Sequence, residues 1–105
     1  MKNLRELDLS DKQASPEGAK WAGLIPSLRV LRISGGAIKD EGAAHLAGLP
    51  NLEVLLLQGA QLTDAGLEPL AKLKTLRQLD LRGNKLSDDA VAKLQAALPA
   101  ATILR

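Results

Sequence analysis

The side chains able to do chemistry in this 105-residue chain are few, and their spacing does not suit it. His45 is the one histidine and there is no cysteine, so neither a multi-histidine metal site nor a buried acid–base relay can be assembled. The adjacent acids Asp40-Glu41 and Asp88-Asp89 fall where helices are expected to begin, and there the positive end of the helix dipole accounts for them. Gly35-Gly36 lacks the further Gly, the Lys and the Ser/Thr of a phosphate-binding loop. The residues therefore predict a chain without catalysis, metal or cofactor. What is left for function is a surface, and the elements that shape it follow from one regularity.

Leucine recurs at positions 4, 28, 52 and 76, and each copy opens a hexad of the form Leu-x-x-Leu-x-(Leu/Ile): LRELDL, LRVLRI, LEVLLL and LRQLDL. Such a hexad reads as a strand, after which the pattern changes to helical spacing, as with Leu67, Leu70 and Leu73. Ser15, Thr63 and Ser87 stand where an N-cap oxygen accepts from free backbone N–H groups, with Pro16 at the first helical position; Lys39 interrupts the series and Asp40 is the cap available there. Gly35, Gly59 and Gly83 share one place after the strand, where a bend with positive φ suits glycine, and Asp11 takes that place in the first unit. A repeat of this length predicts an α/β solenoid, because one unit cannot bury its own apolar face and must stack on its neighbours.

Superimposed, the units give apolar columns: Leu7, Leu31, Leu55 and Leu79; Leu9, Ile33, Leu57 and Leu81; Ala14, Ile38, Leu62 and Leu86. From the helices come Ala19, Ala43, Leu67 and Val91, then Ala22, Leu46, Leu70 and Leu94. Burying one such leucine stabilises by about 1.5–3 kcal/mol, so a charge in any column is expected to unfold the chain. The expected organisation is one domain over residues 1–105, with repeats 4–27, 28–51, 52–75 and 76–100 and a closing strand at 101–105. The last repeat runs one residue long through Ala97-Leu98-Pro99, which places Leu104 in the Leu7 column. Leu4, Leu7 and Leu9 lie on an edge strand open to pairing with another chain.

Composition narrows the partner class. A net charge of +2, with both signs interspersed, does not make an electrostatic clamp for nucleic acid, and no apolar run approaches the roughly 20 residues that span a bilayer. The start Met1-Lys2-Asn3-Leu4 enters the repeat at once without a signal peptide, which with the absence of cysteine favours the cytoplasm.

Leu62-Thr63-Asp64-Ala65-Gly66-Leu67 followed by Leu70-Ala71-Lys72-Leu73 resembles the 24-residue bacterial leucine-rich repeats with a "TDAGL" core. Asp40-Glu41-Gly42-Ala43-Ala44-His45-Leu46-Ala47 is similar to their "GALA" variant, and the closing Leu94-Gln95-Ala96-Ala97-Leu98-Pro99 is similar to the ends of such arrays. The resemblance covers nearly the whole chain. It implies a right-handed solenoid with parallel strands on a concave face, short helices on the convex face, and protein binding as the usual role. GALA-like relatives suggest, by analogy only, recruitment of substrates for a ligase or effector. Of the positions that would carry the family's asparagine, Lys12, Gly36, Ala60 and Asn84, only the last keeps it.

On such a strand face the residues between the core leucines alternate outwards. The expected rows are Glu6, Val30, Val54 and Gln78; Asp8, Arg32, Leu56 and Asp80; Ser10, Ser34, Gln58 and Arg82. Val30, Val54 and Leu56 then form an apolar spot beside Arg32, flanked by Asp8 and Asp80, as interaction sites are built. Val30, Arg32, Val54, Leu56, Gln58, Asp8, Asp80 and Arg82 are accordingly the candidate partner-binding residues. The competing account is that β-branched residues merely favour strands and that Asp8–Arg32 is an ordinary cross-strand pair. Arg29, Glu53 and Arg77 read as a solvated ladder of alternating sign. Trp21 shares an outward helix position with His45, Pro69 and Lys93; it either packs over the turn at Leu24 or Ile25 or anchors a second partner. The expected function is a non-catalytic protein-interaction module. The alternative is a self-assembling element, or a fragment of a longer array, that associates through open edge strands as a homo-oligomer.

Overall fold

The computed structural model describes residues 3–105, so Met1 and Lys2, and with them the first two residues of the N-terminal reading, lie outside it. Strands β1 (Glu6–Ser10), β2 (Val30–Ser34), β3 (Val54–Leu56), β4 (Gln78–Asp80) and β5 (Thr102–Leu104) alternate with helices α1 (Pro16–Ala22), α2 (Lys39–Leu46), α3 (Asp64–Leu70) and α4 (Asp88–Ala97). All five strands form one parallel sheet in chain order. Parallel neighbours need a crossover, and here each crossover runs through one α-helix, preceded in the first by a short 3-10 turn at Asp11–Gln13.

Register follows the sequence repeat: Leu7 pairs with Leu31, Leu31 with Leu55, Leu55 with Leu79, and Leu79 with Ile103. The last pairing corrects the expectation for the closing strand. Ile103, not Leu104, continues the Leu7 column, and Leu104 lies beside Asp80 in the neighbouring row. Leu98 and Ala101 are buried one place later in the repeat than Leu73 and Leu76, but the strand-to-strand spacing is unchanged and Ile103 stands one full repeat after Leu79.

The strand leucines and the inward helix residues bury one another in a single cluster, with Leu31, Leu55, Leu79, Ala19, Ala43, Leu46 and Leu70 fully shielded. Neighbouring helices pack in order along the other side of this layer. The columns therefore hold as expected from Leu31 onward. At the first strand Leu7 is only half-buried, because no unit lies beneath it, and Leu86 is half-buried near the other end.

Local conformation follows the turn chemistry. Gly35, Gly59 and Gly83 adopt φ of 76°, 64° and 78°, and Asp11 in the equivalent place is driven to 51°. A residue with a Cβ enters that region at a steric cost, which aspartate tolerates better than most. Ser15 and Ser87 cap their helices, accepting from the backbone N–H of Gly18 and Ala90, each at 3.1 Å.

Two expected caps act differently. Thr63 makes no cap bond to its own helix; its hydroxyl donates to Asp40, and its backbone N–H donates to Asp40 Oδ1 at 2.8 Å. Asp40 thus serves the next unit rather than its own helix, where Ile38 is the cap residue and Lys39 takes φ of 59°. Asp64 repeats the arrangement, accepting from the Ser87 N–H at 2.9 Å. Gly66 makes room for the Asp40 carboxylate, with which a Cβ there would collide.

Other polar groups also cross between units. The Ser27 and Thr75 hydroxyls donate to the Leu4 and Leu52 carbonyls, and Asn51 Nδ2 donates to the Pro26 carbonyl. Asn84 joins the third unit to the fourth: its Oδ1 accepts from the Leu62 N–H at 2.9 Å, and its Nδ2 donates to the carbonyls of Leu57 and Leu81, each at 2.9 Å.

Two substitutions test this construction. Leu55→Ala is expected to lower unfolding free energy by about 2–5 kcal/mol in urea titration, the range for truncating a fully packed core leucine. Asn84→Ala strands a partly buried backbone donor and two carbonyls without changing the apolar core. A loss of about 1–3 kcal/mol is expected by the same measurement.

Candidate functional site

The sheet face turned away from the helices carries the alternate strand residues. Its first row, in register, is Glu6, Val30, Val54, Gln78 and Thr102; its second is Asp8, Arg32, Leu56, Asp80 and Leu104. Ser10 and Ser34 begin the third row, and Gln58 and Arg82 follow the ends of the two shorter strands β3 and β4. Val30, Val54 and Leu56 are half-buried and adjacent, Val54 next to Val30 across the β2–β3 pair and Leu56 two residues on along β3. Leu104, also half-buried, extends the apolar area to the far side of Asp80.

The charges beside this spot are already partnered. Arg32 Nη1 reaches Asp8 Oδ1 at 3.2 Å and Glu6 Oε1 at 3.5 Å, so its guanidinium turns towards β1 and leaves the Leu56 side free of ionic contact. The Asp8 hydrogen bond and charge raise the Arg32 pKa above its ordinary value. These exposed pairs add little stability of their own and serve mainly to hold orientation.

Asp80 departs from expectation. It lies in the outward row but is only 4% exposed, because Leu56 and Leu104 flank it in register and Arg82 covers it. Arg82 Nε and Nη2 donate to the two carboxylate oxygens at 3.0 and 2.8 Å, and the Arg82 backbone N–H adds a bond to Oδ1 at 3.0 Å. This bidentate geometry holds the Asp80 carboxyl below the usual carboxylate range, chiefly through the Arg82 side chain, with burial acting the opposite way. Asp64 is lowered likewise by the backbone and hydroxyl bonds from Ser87.

The structure therefore brings all eight candidate residues to one face. It leaves Val30, Val54 and Leu56 as a partly open apolar centre, Asp8, Arg32, Gln58 and Arg82 as an exposed polar surround, and Asp80 as a shielded anchor for Arg82. Leu104 was the residue missed, and counting back one repeat from it to Asp80 is the signal that finds it.

Elsewhere the expected charge ladder is realised on one side. Arg29 Nη1 meets Glu53 Oε2 at 2.8 Å, and among the described residues no ion pair joins Glu53 to Arg77. His45 is half-buried rather than exposed. Trp21 does not fold down over its turn: Trp21 is 71% and Leu24 68% exposed. A depression of about 400 Å³ lies between α3 and α4, floored by Leu67 and Leu94 and edged by Asp64, Glu68 and Asp89. Among the described residues no group of three His, Cys, Asp or Glu is placed to hold a metal, and no helix is long and apolar enough to cross a membrane.

Strand–turn–helix units joined in register, each closed by leucines on the inner side of its strand, define a repeat protein. The family described as leucine rich repeat matches residues 26–86, more than half the chain, and the chain belongs to it. No curated protein matches the chain.

The Asp80–Arg82 pair gives a pH test. Because the folded carboxyl titrates below the unfolded value of about 3.9, its contribution is fully present above that pH and is lost as pH falls through the folded value. Asp80→Asn is expected to be less stable than the wild type at neutral pH and to lose less on acidification. Plots of urea midpoint against pH for the two proteins should then converge below about pH 4.

Proposed function

We propose that this domain is a non-catalytic protein-interaction module that engages a protein partner through the face carrying Val30, Arg32, Val54, Leu56 and Gln58, with Asp8, Asp80 and Arg82 at its margin. In this reading the four repeats, 4–27, 28–51, 52–75 and 76–100, with the strand that follows form one right-handed solenoid of the 24-residue bacterial type. The sheet face is its concave side and the cytoplasm its compartment. Leucine-rich repeats usually mediate protein–protein contacts, and the family therefore supports the class of function.

The observation that carries the reading is the apolar centre itself. Val54 and Leu56 alternate outwards on one short strand, Val30 lies beside Val54, and the nearest guanidinium is drawn away by Asp8 and Glu6. A half-buried apolar area inside a polar surround, with its neighbouring charges already neutralised, can be covered at little desolvation cost.

Self-assembly through edge strands is the second reading. It is favoured by Leu7, which stays half-buried where its column mates Leu31, Leu55 and Leu79 are fully covered.

Leu56→Asp separates the two. For a partner selected against the wild-type domain from a displayed library of protein fragments, the variant should keep its far-ultraviolet circular dichroism and bind at least tenfold more weakly by calorimetry, since one desolvated charge at an interface costs about 2 kcal/mol or more. Undiminished binding removes this face from the reading. Pairing through β1 or β5 would be unaffected by the substitution.

A further inference from the structure

Glu17, Lys20, Trp21 and Leu24 follow one another at i, i+3, i+4 and i+7 along α1 and the turn after it, and all four are exposed. That spacing sets them on a single stripe. The opposite side of the helix is spent in the core through Gly18, Ala19 and Ala22. Together the four residues line a depression of about 370 Å³ on the helix layer, on the other side of the molecule from the strand face. The later units do not repeat it. His45, Pro69 and Lys93 stand in the Trp21 place and Gly48, Lys72 and Ala96 in the Leu24 place. A Cβ at Gly48 would meet nothing within 4 Å, so the flank next to Leu24 is vacant.

An isolated exposed apolar residue needs no explanation, but these are the two large hydrophobic side chains left exposed among the described residues, and they adjoin. Tryptophan is also among the residues enriched where binding energy concentrates.

We infer that this stripe is a self-association face whose occupant is the α1 helix of a second copy. Charge complementarity selects that occupant. The stripe holds one acid and one base a single helical turn apart. A partner helix of either uniform sign would leave Glu17 or Lys20 facing its like. Two copies laid antiparallel across a two-fold axis instead set each Glu17 against Lys20 of the other copy, and carry each Trp21 over the other copy's helix start at Pro16. A two-fold contact is self-complementary in this way. With two large apolar side chains per copy the area is small, so the dimer is weak and reversible and forms at high concentration.

Trp21 is the only aromatic residue, so its emission reports on this stripe alone. Sedimentation equilibrium and tryptophan emission are to be measured together from about 10 μM to about 1 mM, the range of weak contacts. Mass is expected to rise towards the dimer while the emission maximum moves to shorter wavelength in step. Leu24→Ser and Trp21→Ser should each weaken association at least tenfold. Glu17→Lys and Lys20→Glu should each be monomeric alone, and their equimolar mixture should recover the dimer, because each then meets its opposite charge. A monomer at all concentrations with unshifted emission overturns the inference. So does association that survives Trp21→Ser, which would assign it to the edge strands or the sheet face. If the mixture of charge variants stays monomeric, the antiparallel arrangement is wrong.

Discussion

The structure depends on one constraint: each residue of a strand must hydrogen-bond at the same level as its counterpart one repeat later. Parallel pairing tolerates no slip where one face is buried, because a shift of one residue would turn every core leucine outwards. All else between strands must therefore return the chain to the same height. Three glycines with positive φ bend it away after the strand, and Asp11 accepts the strained conformation in the first unit because the bend is needed there too. The fourth unit shows how strong the constraint is. Its helix is the longest and it buries Leu98 one place later than Leu73 in the unit before, yet Thr102 pairs with Gln78 one full repeat back.

Within that frame the apolar columns supply cohesion and the polar bonds supply specificity. Buried leucines pack equally well against several neighbours. The carboxylates of Asp40 and Asp64 instead accept from N–H groups that the next helix start presents, and Asn84 bonds backbone groups of its own and the preceding turn. Each such bond is modest on its own, but leaving the partners of Asn84 unmet in their partly buried place costs more than making those bonds gains. The strand face follows the same economy. Asp80 is acceptable beneath Leu56 and Leu104 because Arg82 satisfies both of its oxygens.

Much of this was legible in the residues, for an identifiable reason. Strands, helices, columns and bends repeat with the sequence period, so one unit teaches the next. What escaped were features set by contacts between units. That Asp40 serves Thr63 rather than its own helix depends on where the neighbouring turn lies. Alternation says which way Asp80 points, but not that its neighbours will cover it. Leu98, one place later than Leu73, suggested a lasting slip, although one repeat counted from Leu79 falls on Ile103. Trp21 was left between two accounts because its side chain has no repeating counterpart to compare.

The bonds from Asp40 and Asp64 have a further consequence for how the molecule holds together. Each ties a turn to the one after it, as the core columns and the backbone ladder also do, so nearly all cohesion is of the nearest-neighbour kind. Such an array behaves like a short one-dimensional crystal. The layers in the middle are gripped from both sides and the outermost from one, so thermal fraying enters from the ends. The layer that holds Leu55 is the last to let water in.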